Sequence, residues 1–307
     1  MNPNLLFYYY PHVDNELHNF LLREPAQPGY TIGNVQEKEA FVSWAFQQAE
    51  QTIGRITDDL NDNDHLLLVS DHGLEPIHTR LSPNKELEKA GLLKIDKNGK
   101  INTSKTKVYA EASGTIAHVY VNLIGREENG IVEPEEFENV KREAMKVFQN
   151  RNIFSSSIAN PLPKGAPVFQ WLTGQSPIIY TYPTASILSK QDAPILNPYE
   201  KVWVEGMPDY VEVNNKNSGD ILLSAAPGFL MGKDAKIAAE PTKELGSHGG
   251  NPERKSLRPI LYASGPMIAS GDIKERISMT DIAPSIYDLL GLDTPDFVEG
   301  KAIWSSE

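Results

Sequence analysis

An α/β protein is expected here: a three-layer α/β/α sandwich around a mostly parallel sheet, with an irregular α+β insert. Three stretches predict it. Leu66-Leu67-Leu68-Val69 is apolar throughout and too short for a helix, so it reads as a buried strand. An aromatic-rich apolar run, Leu5 to Tyr10, and a long helical pattern precede it, and strand–helix–strand is a βαβ unit, which makes neighbouring strands parallel. Near the end, Pro259-Ile260-Leu261-Tyr262-Ala263 reads as another strand and is followed by a further helix.

Taken in order, Leu5 to Tyr10 is a buried-type strand ended by Pro11. In Asp14-Asn15-Glu16-Leu17-His18, Asp14 and His18 share one face if the piece is helical and could grip a cation together. The residues alone favour a plainer reading, with Asp14 as N-cap and His18 on the surface. From Val35 to about Leu60, the spacing of Val42, Ala45, Phe46, Ala49, Ile53, Ile56 and Leu60 predicts a packing helix. Asn61 to Asp64 turn the chain into the strand at 66–69.

That strand ends in Ser70-Asp71-His72-Gly73. The carboxyl edge of strands is where open α/β sheets bind ligands. Asp71 and His72 are a donor pair suited to zinc, manganese or iron, and Gly73 permits the turn that would let them act together. Beyond Gly73 the chain reads as a surface excursion, with a short helix from Asn84 stopped by Gly91 and a hairpin-type turn at Asp96 to Lys100. Ala117 to Leu123 alternates as a strand on which His118 is structural, and Pro134 opens a helix with Phe137, Val140, Ala144 and Val147 on its buried stripe.

Recurrent prolines break residues 151–217 into short pieces, read as an elaboration on the core. Asp220 to Ala225 returns to a strand. Gly246-Ser247-His248-Gly249-Gly250 places a histidine in a loop whose glycines let backbone approach a ligand, although on that loop alone a solvated histidine is the better reading. Thr280 or Asp281 caps a last helix ending at Gly291. The expected division is 1–125 as a core part with the Asp/His motifs, 126–218 as an insert or cap, and 219–307 as a core part carrying His248.

Composition narrows the function. The net charge of −12 argues against binding a nucleic-acid polymer, yet it allows a small phosphorylated substrate if metal cations invert the local field. The absence of cysteine rules out thiolate ligands and a thiol nucleophile, leaving His, Asp, Glu, Ser and Thr for metal or covalent chemistry. No apolar run is long enough to span a bilayer, and no targeting segment is apparent, which leans toward a cytoplasmic location.

The order Asp14-x-x-x-His18, Asp71-His72-Gly73, His248-Gly249 resembles the metal-binding pattern of the alkaline phosphatase superfamily. The branch it looks most like is the type I phosphodiesterase and nucleotide pyrophosphatase group. Gly125-Arg126-Glu127 with Gly130-Ile131-Val132, Asn84 through Leu93, and Thr280-Asp281-Ile282-Ala283-Pro284-Ser285 through Leu292 look like that group's flanking segments.

The resemblance implies two divalent ions, zinc first, with manganese or iron as alternatives. Asp14, His18 and His248 would complete one site. Asp71 and His72 would give half of the second. It implies in-line displacement at a phosphoric ester (a phosphodiester or nucleotide pyrophosphate, or else a monoester) between ions about 4 Å apart. The family's hydroxyl nucleophile and a further Asp lie on a strand and helix start ahead of anything corresponding to Asp14. The catalytic residue is therefore unassigned. Ser70 and Ser247, beside the motifs, read as loop hydrogen bonders. A further N-terminal segment, or self-association, is expected to complete the sheet. The alternatives are a non-catalytic fragment or subunit of such an enzyme, and a related sulfatase or phosphomutase; a mutase's internal insert is not visible.

Overall fold

The computed structural model describes residues 3–149, 153–154, 167–170, 178–181, 195–211, 213, 215–266, 268, 271 and 276–304. The chain forms two units: Met1–Val13 with Trp44–Gly73 and Arg258–Glu307, and Asp14–Ser43 with Leu74–Leu257. Its helices are α1 (His12–Phe20), α2 (Ile32–Asp58), α3 (Pro83–Lys89), α4 (Phe137–Gln149) and α5 (Ile282–Leu289). Its strands are β1 (Leu66–Val69), β2 (Glu75–Leu81), β3 (Val108–Ser113), β4 (Ile116–Val121), β5 (Ile153–Phe154), β6 (Pro167–Gln170) and β7 (Ile178–Thr181). There follow β8 (Ile195–Leu196), β9 (Tyr199–Trp203), β10 (Ile221–Ala225), β11 (Gly228–Met231), β12 (Ala239–Pro241), β13 (Gly246–Ser247) and β14 (Leu261–Ser264).

In the first unit, β1 pairs antiparallel with β14, Leu66 opposite Ser264 and Val69 opposite Leu261, and its four residues are only partly buried, where the apolar run predicts a buried strand, because the sheet has two strands among the described residues. Ser70 extends the pair, donating its N–H to the Ile260 carbonyl and accepting the Ile260 N–H on its hydroxyl at 2.9 Å. That is the loop hydrogen bonding expected of it. The helix α5 follows a 3-10 turn, where Ser278 and Asp281 form a reciprocal capping box, so the cap begins two residues before Thr280.

One sequence expectation fails here. Leu5 to Tyr10 is not a strand; Leu6 and Phe7 are each 77% exposed and Tyr9 79%. Apolar and aromatic content favours a strand only where a neighbour accepts its backbone hydrogen bonds, and these residues pair with none among those described. The helix expected from Val35 forms as α2, with Val42 and Ala45 buried, but Phe46 is 52% exposed although the helical spacing placed it inward.

The second unit holds the main core. A four-stranded antiparallel sheet runs in the order β3-β4-β10-β9. Alternation sends Val108, Ala110 and Ala112 of β3 and Ala117, Val119 and Val121 of β4 inward, while every residue of β10 is buried. Against this sheet α3 packs on β3, and α4 on β4 and β9. They contribute Leu87 from α3 and Val140, Ala144 and Phe148 from α4, with Leu93 beyond the turn. The buried stripe of α4 ends on Phe148, with Val147 only partly buried. From the segment expected as an elaboration, β9 supplies an edge of this sheet with Tyr199 and Trp203 buried; the proline-rich stretch before it lies largely outside the described residues.

A second sheet is built around β2. On one side lies β11, parallel to it; on the other, β12 and then β13 run antiparallel. The region after Gly73 is thus a buried strand and not a surface excursion. Ile77 and Leu81, two steps of an inward alternation, are almost wholly inaccessible. Pro76 and Arg80 obscure the strand in the sequence, and the structure satisfies Arg80 with Glu240 and Asp234. Most described pairs are antiparallel, with β2 and β11 the parallel pair among named strands. The βαβ argument for parallel neighbours rested on the strand at 5–10, which does not form.

Candidate metal centre

The site begins on α1. Asp14 and His18 are one helical turn apart, and His18 Nε2 lies 3.6 Å from Asp14 Oδ1. The helix starts at His12, so Asp14 falls within its first turn and is not its N-cap. At the end of α1 the chain is held by Gln27, which is fully buried. Its amide donates to the carbonyls of Leu21 at 2.8 Å and Leu245 at 2.7 Å, and its oxygen accepts from the N–H groups of Arg23 and Glu24. The N–H of Leu245 in turn donates to the carbonyl of His18. One buried amide thus ties the helix bearing two candidate ligands to the approach of β13, which precedes the third.

Gly246 and Ser247 of β13 pair with Pro76 and Glu75 of β2. The close approach of α1 demands glycine at 246: a Cβ there would lie 2.6 Å from the Leu17 carbonyl oxygen. The next residue is His248. Its carbonyl accepts from the Thr115 N–H at 3.0 Å and from the Thr115 hydroxyl, so the backbone is fixed where the ring projects. Gly249 and Gly250 follow with φ of 91° and 81°, a left-handed turn that reverses the loop.

Together these constraints bring Asp14, His18 and His248 into one group, each offering a donor atom within 4.8 Å of the others. His248 Nε2 is 3.9 Å from Asp14 Oδ1, and the two imidazole rings meet edge to face at 5.1 Å. His18 Nδ1 donates to the Gly246 carbonyl at 2.8 Å. That bond engages Nδ1 and leaves Nε2 as the ring nitrogen facing Asp14. Asp14 Oδ1 is itself buried and accepts no hydrogen bond from the described residues. A buried carboxylate oxygen without a hydrogen bond, between two imidazoles, fits a divalent cation: one carboxylate and two histidines is a donor set of open zinc sites, and an oriented second nitrogen is the usual support for a ligating histidine.

Asp71 and His72 belong to the first unit, just beyond β1. His72 Nε2 is 3.5 Å from Asp71 Oδ2, its Nδ1 is 3.1 Å from the Gly73 carbonyl oxygen, and Asp71 is largely exposed. The two side chains thus approach each other, but the bend lies at Asp71 and Gly73 adopts no left-handed φ. His118 is structural: its Nδ1 accepts from the Gly219 N–H, and burial lowers its pKa.

Beneath the His248 loop lies a group that the sequence reading did not single out. Arg254, 10% exposed, pairs with Glu75, also donates to the Ala225 carbonyl, and approaches Glu200 at 3.4 Å. Glu75 also accepts from the Ser256 hydroxyl. Burial pushes the Glu75 carboxyl up and Arg254 beside it pulls it down, with burial the stronger. An arginine in a glycine-rich loop is the only sequence hint of this anchor.

The sequence matches the type I phosphodiesterase / nucleotide pyrophosphatase family over residues 1–251. No curated protein matches it. Among solved structures, murine ectonucleotide pyrophosphatase/phosphodiesterase 5 is similar over 94% of this chain and 53% of its own, at 14% identity and a TM-score of 0.44. For the human protein of that name the values are 95%, 54%, 12% and 0.43. For the murine protein in an inactive form in complex with AMP they are 94%, 53%, 14% and 0.42. The chain spans about half the length of these solved relatives. Among the described residues no helix is long and apolar enough to cross a membrane. With the family matched over most of its length, the chain belongs to the type I phosphodiesterase / nucleotide pyrophosphatase family.

Proposed function

We propose that this chain is the metal-binding part of a hydrolase of phosphoric esters, acting on a small phosphodiester or nucleotide pyrophosphate. Asp14, His18 and His248 hold one divalent cation, zinc ahead of manganese or iron, and Asp71 and His72 contribute to a second. The observation that carries the reading is the convergence of Asp14, His18 and His248 around a buried carboxylate oxygen that accepts no hydrogen bond. When bound, the cation supplies positive charge to a phosphoryl oxygen and lowers the pKa of water.

The residues of the chain do the rest. Asp14 brings the negative charge that makes the site cationophilic. His18 presents Nε2 because Nδ1–H is committed to Gly246. Thr115 holds the backbone of His248, so its ring needs little reorganisation to ligate.

A metal-binding chain without turnover is the second reading. One observation favours it: the two serines beside the motifs are poor nucleophiles, Ser70 because its hydroxyl is bonded to Ile260 and Ser247 because it is 1% exposed.

The test is metal content after dialysis against zinc, beside hydrolysis of bis(4-nitrophenyl) phosphate. The expected result is at least one retained ion, lost in His248→Ala and in Asp14→Asn, with a more exchangeable second ion lost in Asp71→Asn. Zinc retained equally by all four proteins would overturn the ligand assignment. Retained zinc without hydrolysis selects the second reading.

A further inference from the structure

A cleft of about 390 Å³ opens beside the candidate metal centre, lined by His18 and His248 and, beyond them, by Arg80, Lys233, Glu244 and Ser247. Its charged groups differ in what they have left to offer. Arg80 is engaged: Nε donates to Glu240 at 2.8 Å and Nη1 to Asp234 at 2.6 Å. Glu244 lies 3.7 Å from His18 Nδ1 and repels an anion. Lys233 makes no ion pair among the described residues and is exposed.

The backbone around Lys233 is held firmly. The Gly232 N–H donates to the Leu81 carbonyl at 2.7 Å, and the Met231 N–H to the Gly114 carbonyl. The Lys233 carbonyl accepts at 2.8 Å from Asn84 Nδ2, itself fully buried. A free ammonium therefore stands on a fixed backbone at the wall of the cleft that two candidate metal ligands share. On the same wall, Ser247 is not the loop hydrogen bonder the sequence suggests: it lies in β13, and its buried hydroxyl makes no hydrogen bond among the described residues.

We propose that Lys233 is a specificity-determining residue of this cleft, receiving a second anionic group of the substrate, separate from the phosphoryl group presented to Asp14, His18 and His248. Substrates with two anionic groups are then preferred over those with one. Lys233 is the group suited to the task because Arg80 is already neutralised and the remaining ionised group facing the cleft is acidic. The inference rests on the proposed function, since it takes the triad as the phosphoryl end of the cleft.

The experiment compares two non-hydrolysable probes of similar size, 3-phosphonopropionate and propylphosphonate, by calorimetry on the zinc-loaded chain, with bound zinc measured afterwards. The expected result is about tenfold tighter binding of the probe that bears the additional carboxylate, the effect of one charge-assisted contact. Lys233→Ala should remove that preference while leaving propylphosphonate affinity and zinc content unchanged, and Lys233→Arg should keep it. A wild-type chain with no preference, or a Lys233→Ala chain that retains it, overturns the inference and leaves the metal assignment standing. A chain that holds no zinc overturns both.

Discussion

His18 Nδ1 and the carbonyl oxygen of Gly246 are 2.8 Å apart, and this contact joins the imidazole of a candidate ligand on α1 to the strand that leads to His248. Gly246→Ala tests it. The new Cβ would lie 2.4 Å from Leu74 Cδ2 and 2.6 Å from the Leu17 carbonyl oxygen, which moves only if α1 moves. Zinc affinity should fall roughly 10- to 100-fold, as for other losses of the group that orients a ligating histidine. Competition against a fluorescent chelator measures it, and an unchanged affinity would refute the coupling.

Gln27→Ala removes the amide that ties the end of α1 to Leu245. Several buried backbone groups then lose their partner, and the expected cost is about 2–4 kcal/mol in unfolding free energy. Denaturant midpoints read this directly. Gln27→Glu should be worse than alanine, since it would turn a carboxylate oxygen toward the carbonyls of Leu21 and Leu245.

Arg254→Met leaves Glu75 buried without its counter-charge and should cost about 3–5 kcal/mol. Adding Glu75→Gln should recover part of that loss, and a double-mutant cycle isolates the coupling. The pH dependence has a definite sign. Burial already raises the Glu75 pKa, and loss of Arg254 raises it further. A group with a raised folded pKa contributes most below its unfolded value, near 4.5, and less as pH rises through the folded value. Arg254→Met should therefore gain on the wild type as pH falls from 7 toward 5.

His78 lies inside β2 with Nδ1 bonded to Thr79 Oγ1, and Gly228 leaves no room beside it: a Cβ there would come 2.3 Å from His78 Nε2. Burial lowers its pKa from 6.5 to about 4. Between those values the unfolded chain binds a proton that the folded chain does not, so stability falls as pH drops through that window. The shift corresponds to about 3 kcal/mol at its fullest. Carboxylates also lose stability toward acid, so His78→Gln serves as the reference. The melting-temperature gap between wild type and variant should narrow from pH 6.5 to pH 4.

What could be read from the sequence depended on whether a residue's neighbours in the chain decide its surroundings. The strand at 66–69, the alternation at 117–121 and the stop at Gly91 are local patterns, and each appears in the structure. Asp14 and His18 were recognisable as one face of a helix for the same reason. His248 was ambiguous on local grounds and gained meaning only from its order behind the other motifs. Leu5 to Tyr10 shows the opposite failure, where strong strand propensity met no pairing partner among the described residues. The strand β2 was hidden by Pro76, His78 and Arg80, which look like surface residues until Glu240, Asp234 and Phe229 are seen beside them. Gln27 and Lys233 carry no sequence signature, and Arg254 only its place after a glycine-rich loop, because their roles depend on partners remote in the chain.

The central place of β2 has a consequence for biosynthesis. All its strand partners come late: the contact of Arg80 with Asp234 spans 154 positions, and that of Arg254 with Glu75 spans 179. At a translation rate of about 5–20 residues per second, the ribosome needs about 8 to 30 s after making Arg80 to reach Asp234. Throughout that interval Ile77 and Leu81 have no sheet to enter, and β2 is an unpaired apolar edge on a nascent chain. Ribosome-bound chains arrested before Gly228 should bind a holdase chaperone, and those arrested far enough beyond Ser247 for β13 to have left the ribosome should release it, because only then does the second flank of β2 close.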